Sequence, residues 1–138
     1  MNQVIQSCAT LLSPENTDML RLPPFRYHRP TNVSEALALM SELGNEAMYV
    51  AGGTDLVPNM KHRLFEPNHL IALKCIEELR GIQEVERRNT DDAILRIGAG
   101  ETLTAVATNK KVQELFPALA QAAAHVAGPQ LRNSGTIG

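Results

Sequence analysis

The chain has no tryptophan, three phenylalanines and two tyrosines, so it lacks the aromatic platforms on which single-stranded nucleic acids stack. Its two cysteines, Cys8 and Cys75, are too few and too far apart for a disulfide framework or a Cys-x-x-Cys metal knuckle. A reducing, cytoplasmic setting is the expectation. Apolar runs are a few residues long, short of the about 20 needed to span a bilayer, and Met1 to Ser13 lacks a basic stretch followed by an apolar one. Charge of one sign is missing too: 13 basic against 15 acidic side chains leave a net charge of −2, which steers the chain toward neither nucleic acid nor an anionic membrane. His28, His62, His69 and His125 show no His-Glu-x-x-His or other paired-ligand spacing, so no metal site is expected. Glu77-Glu78 and Glu84 to Arg88 read as solvated faces. Neither a carboxylate pair nor a Ser/His/Asp set stands out, so no catalytic residue is expected.

What is present is an aliphatic chain of 138 residues, 43% hydrophobic and 20% charged, enough for about one packed domain. Met1 to Pro24 reads as a loose leader ending in Leu22-Pro23-Pro24, with order expected to begin near Phe25 and Met19 as an alternative initiator. Asn32 and Glu35 stand in capping-box spacing, and Ala36, Leu37, Met40 and Leu43 form an apolar stripe before Gly44, which predicts a helix. A buried strand over Ala47 to Ala51, a short helix over Pro58 to Leu64 and a second strand over His69 to Leu73 follow. Ile82 to Glu86 and Ala93 to Ile97 flank the turn residues Asn89-Thr90-Asp91-Asp92, a hairpin pattern. Helices are expected over Thr102 to Thr108, Lys110 to Phe116, and from Pro117 to a C′ residue at Gly128, with Pro129 stopping the last.

Three glycine-bearing segments carry the functional signal. Ala51-Gly52-Gly53-Thr54-Asp55 follows a strand; two glycines let the backbone approach a ligand, consecutive N–H groups can cradle an anion, and Thr54 adds a donor. The same residues also suit a plain strand-to-helix turn with Asp55 as cap. No Walker Lys-Ser or Lys-Thr pair follows. Gly98-Ala99-Gly100 falls short of a Rossmann fingerprint, because Leu103 occupies the third-glycine position and no acidic residue follows at the required distance. Closure of the hairpin strand against a helix is the better expectation there. Ser134 to Gly138 by itself reads as a flexible polar C-terminus.

Taken in order, Phe25 to Pro30, Tyr49 to Pro58, Leu95 to Leu103, Pro117 to Ala123, Val126 to Pro129 and Thr136 to Gly138 resemble the FAD-binding medium subunit of the molybdenum hydroxylase family, which includes xanthine and carbon monoxide dehydrogenases. The branch it looks most similar to is the β subunit of 4-hydroxybenzoyl-CoA reductase. The resemblance implies an α+β, FAD-binding fold of the vanillyl-alcohol-oxidase (PCMH) type: a leader over 1–24, a small α/β lobe over 25–75, and the start of a second α+β lobe over 76–138. It implies FAD contacts at Tyr49, Val50, Ala51, Gly52, Gly53, Thr54, Asp55 and Leu56, at Val126, and at Thr136, Ile137 and Gly138, the opening of a Thr-Ile-Gly-Gly-Asn loop. It implies an iron-sulfur small subunit and a molybdopterin-containing large subunit as partners, with the flavin relaying electrons between the clusters and an external carrier. Because Gly138 falls within a cofactor loop, the chain reads as a truncated piece that exposes apolar surface. The competing expectations are an α/β interaction scaffold that binds no flavin, and a nicotinamide-binding Rossmann enzyme.

Overall fold

A computed structural model describes residues 21–85 and 94–138. Residues 1–20 of the leader expected over 1–24, the alternative start at Met19 and the turn Asn89 to Asp92 lie outside the described residues.

The first half is a three-stranded parallel sheet. Strand β1 is Arg26–His28, β2 is Ala47–Val50 and β3 is His69–Ala72, in the spatial order β1-β3-β2. Parallel strands need long crossovers. Helix α1 (Val33–Leu43), followed by a 3-10 turn at Gly44–Glu46, lies between β1 and β2, and helix α2 (Leu56–Lys61) lies between β2 and β3. β3 carries the apolar run Leu70-Ile71-Ala72, buried on both faces as a central parallel strand requires. Alternation then divides the core. Ile71 and Ala47 pack with Ala36 and Ile76 toward α1, while Leu70, Ala72 and Val50 pack with Met60 of α2. The expected strand over Ala47 to Ala51 is β2, ending at Val50, and β1, which follows Phe25 directly, is a strand that propensity alone does not mark.

α1 begins as its capping box predicts, with Asn32 Oδ1 accepting from Glu35 N at 2.8 Å. The Glu35 carboxylate reaches one residue further back than the ordinary box, accepting from Thr31 N at 2.8 Å. Glu78 is no idle solvated residue: its carboxylate accepts from Val33 N at 2.7 Å, satisfying another open donor of the first turn. The buried stripe gains Val33 and Leu39 and loses Leu37 relative to expectation. Val33, Ala36, Leu39, Met40 and Leu43 face the sheet and Leu37 is 59% exposed, because the stripe centres on Ala36 and Leu43 and Leu37 lies about 100° round the helix from Ala36.

The second half is an antiparallel hairpin, β4 (Ile82–Val85) with β5 (Ile94–Ile97), under helices α3 (Leu103–Thr108), α4 (Lys110–Leu115) and α5 (Pro117–His125). Ile82 pairs with Ile97 and Glu84 with Leu95, so Ile82, Leu95 and Ile97 share the face that meets Val106, Val112, Ala120 and Ala123. Glu84, on the same face at its edge, pairs with Lys111 at 2.8 Å. α5 ends at His125, three residues before Gly128, and Pro129 opens a further short helix, α6 (Pro129–Arg132). Proline at a first helical position is pre-set for a helix, which is why the expected stop is instead a start.

Candidate functional site

β2 and β3 run parallel and end at the same edge of the sheet, in the register Val50 to Ala72. The loop Ala51 to Asp55 and the segment Leu73-Lys74 therefore leave the sheet side by side, the position where open parallel sheets hold ligands. Gly53 takes φ 71°, a left-handed conformation that L residues with a Cβ avoid. Asp55 makes no side-chain cap to α2, so the plain reading of this segment as an Asp-capped turn fails at Asp55. Among the described residues, none of the backbone N–H groups from Gly52 to Asp55 donates to a protein acceptor. Four successive donors are thus left for a ligand or water.

The chain's last residues are anything but loose. Ser134 Oγ donates to Gly52 O at 2.8 Å, Leu103 N donates to Gly135 O at 3.0 Å, Ile137 N to Glu101 O at 3.0 Å and Gly138 N to Ala99 O at 3.1 Å. Thr136 bridges Thr102. The expectation of a flexible terminus is overturned because every residue from Ser134 to Gly138 has a place against the Gly98 to Leu103 segment or the first loop. A Cβ at Gly52 would collide with the Ser134 carbonyl oxygen, so this glycine is required where the two loops meet backbone to backbone.

Together the loops enclose a cavity of about 340 Å3, lined by every residue from Tyr49 to Leu56 with Leu73, Thr136 and Gly138. Small-molecule sites occupy about 300–1,000 Å3. A smaller space of about 40 Å3 shares Ala51, Gly52, Leu73 and Thr136 and is bounded by Lys74, Arg80, Asn133 and Ser134. Two of the expected contacts are placed apart from the cavity lining. Val126 sits on the turn between α5 and α6, 47% exposed, and the Ile137 side chain is 37% exposed. Tyr49 lines the cavity, yet its hydroxyl points to α1 and donates to Ala36 O at 3.4 Å, as alternation with Ala47 requires. Leu73, Ser134 and the two cations Lys74 and Arg80 are lining residues that motif reasoning misses. Leu73 could be found from the sheet-edge rule; the contact of Ser134 with Gly52 spans 82 residues and leaves no local trace.

The glycines at 98 and 100 serve a different contact from the one expected. A Cβ at Gly98 would collide with Leu79 O, and Gly100 N donates to that oxygen at 2.7 Å. They admit the backbone of the 3-10 turn Glu77–Leu79 rather than a helix. A strand from an antiparallel hairpin precedes them, and among the described residues no doubly wound sheet surrounds them, so the Rossmann expectation is set aside. Among the described residues no group of three or more His, Cys, Asp or Glu could hold a metal. His28 and His69 meet on neighbouring strands, Nε2 to Nδ1 2.9 Å, and His125 Nδ1 donates to Gln121 O at 2.7 Å.

A glycine-bearing loop with four unspent N–H donors at a parallel sheet edge, met by a second loop from an α+β half, is the layout of a nucleotide-type cofactor domain. Residues 23–138 match the family described as the FAD binding domain in molybdopterin dehydrogenase, and the chain belongs to that family. Over 116 residues it is 44% identical to the carbon monoxide dehydrogenase medium chain of Hydrogenophaga pseudoflava, covering 84% of this chain and 38% of that one. It is 36% identical over 112 residues to the xanthine dehydrogenase FAD-binding subunit of Escherichia coli, covering 81% and 36%. Solved structures agree: carbon monoxide dehydrogenase from Hydrogenophaga pseudoflava, in a form lacking the Mo-pyranopterin moiety, superposes with a TM-score of 0.78 over 86% of this chain and 39% of that chain, at 44% identity. Quinoline 2-oxidoreductase from Pseudomonas putida 86 gives 0.75 over 84% and 38%, at 31% identity. The chain thus spans under two fifths of the length of these relatives.

The cofactor is FAD, and the site fits it on its own terms: unspent N–H donors from Gly52 to Asp55 border the cavity, on a loop that turns through the left-handed Gly53.

Proposed function

We propose that this chain is the FAD-gripping part of the medium subunit of a molybdenum-containing hydroxylase. There it relays electrons between the iron-sulfur clusters of a small subunit and an external carrier, while substrate is oxidised or reduced at a molybdopterin-containing large subunit. The observation that carries the reading is the meeting of two loops, Tyr49 to Leu56 and Thr136 to Gly138, about one cavity. Backbone N–H groups from Gly52 to Asp55, with the Thr54 hydroxyl, hold the cofactor pyrophosphate. Thr136 and Gly138 contact it from the facing wall, with Ile137 between them tied to Glu101 O, and Val126 touches the flavin ring. The isoalloxazine supplies the redox chemistry; the chain binds, orients and shields it. No side chain of this segment acts as acid, base or nucleophile.

On the same reading the fold is of the PCMH type, with a small lobe over 25–75 and a second over 76–138. It works in the cytoplasm, where the Cys75 thiol stays free. The order of motifs suggests 4-hydroxybenzoyl-CoA reductase as the parent complex, and assay of the purified complex with 4-hydroxybenzoyl-CoA, CO and xanthine in parallel tests that branch. FAD titration of the full-length protein, with Gly53→Val as control, tests the cofactor site: saturable uptake that the variant loses supports it, and equal uptake by a folded variant refutes the loop assignment.

A further inference from the structure

The turn between α5 and α6 is built in an unexpected way. Ala127 holds φ at 46°, in the left-handed region that costs a residue with a Cβ. A glycine stands one position later, yet Gly128 is extended, at φ −87° and ψ 164°. The residue best suited to the strained position is not the one that occupies it, so the turn depends on an outside restraint. Arg132 supplies it. Its Nη1 donates to Val126 O at 3.0 Å and to Ala127 O at 2.6 Å, charge-assisted bonds of the stronger kind. From Arg132 the chain runs straight into Asn133, which accepts from Thr104 Oγ1 at 2.7 Å, and into Ser134, whose hydroxyl bonds Gly52 O at 2.8 Å. One guanidinium therefore couples the turn that displays Val126 to the segment that walls the cofactor cavity.

We propose that Arg132 is a positioning residue: by bridging the two carbonyls it holds the Val126-Ala127 turn in its left-handed form and so sets where Val126 lies against the flavin. This rests on the reading of Val126 as a flavin contact. The test uses the full-length, FAD-loaded protein and reads the flavin absorption spectrum, the flavin reduction potential and the FAD dissociation constant. Arg132→Ala is expected to shift the spectrum and potential and to weaken FAD binding about tenfold, the scale of losing a charged hydrogen bond. Ala127→Gly removes the strain, so it is expected to hold FAD as the native chain does and, in combination, to reduce the effect of Arg132→Ala to about threefold or less.

If Val126→Asn leaves all three readouts unchanged, the reading of Val126 fails and the role of Arg132 toward the flavin fails with it. If Val126→Asn moves them and Arg132→Ala does not, the positioning role alone is overturned. An Arg132→Ala effect that Ala127→Gly does not diminish also overturns it, since the guanidinium would then act by some route other than the turn. Should Arg132→Ala alone fail to fold, the double variant decides: recovery of a folded flavoprotein supports the proposal, and no recovery contradicts it.

Discussion

Gly52 and Gly53 are adjacent and identical, yet they are constrained by different physics. Gly53 needs its φ of 71°, and Gly52 needs the absence of a Cβ because Ser134 O lies against it. Valine at 53 would carry a left-handed backbone penalty of about 1–2 kcal/mol and place its branches beside Val57 and Val50. Gly53→Val is expected to lower the denaturation midpoint and to weaken FAD binding by about tenfold or more, read by flavin fluorescence titration. Gly52→Ala is expected to push the two loops apart, at an overpacking cost of about 1–3 kcal/mol, read in the same two measurements. Ser134→Ala removes one bond to Gly52 O, so a smaller loss of about 0.5–1.5 kcal/mol is expected. The glycine pair was legible as a close-approach loop from its place after a strand; its second partner was not, because backbone contact between residues 52 and 134 has no signature in either segment.

Elements were legible where local rules act alone. Asn32 with Glu35, and Thr102 and Asn109 ahead of their helices, all cap as their chemistry requires, the last two accepting from Ala105 N and from Lys111 and Val112 N. Asn32→Ala is expected to cost about 1 kcal/mol in chemical denaturation. Strand β1 escaped because Arg-Tyr-His is polar and mostly exposed; it is a strand only because β3 offers an unpaired edge, in the register Tyr27 to Leu70. The end of α5 escaped because a glycine three residues on looked like its cap, while Arg132 in fact stabilises an earlier break at Val126. In β3, Ile71 is fully buried between α1 and the sheet. Ile71→Val removes one methylene and is expected to cost about 0.5–1.5 kcal/mol, checked by the shift in denaturant midpoint at constant slope.

At the scale of the molecule, two halves with separate cores are joined by close backbone contacts rather than by a shared apolar face. Leu79 packs on the first core and its carbonyl meets Gly98 and Gly100 in one seam, and Ser134 against Gly52 forms the other. The cavity lies on the second seam, so a cofactor held as proposed, by both loops, would favour the joined arrangement by mass action. FAD is therefore expected to raise the melting temperature of the native chain, and to raise that of Gly52→Ala less. The central claim is that the Tyr49 to Leu56 loop and the Thr136 to Gly138 segment form one FAD site. Its most direct measurement is the flavin content and FAD affinity of the full-length protein: one tightly held FAD per chain, released by Gly53→Val, is the predicted result. A folded native protein that stays colourless in excess FAD would contradict it.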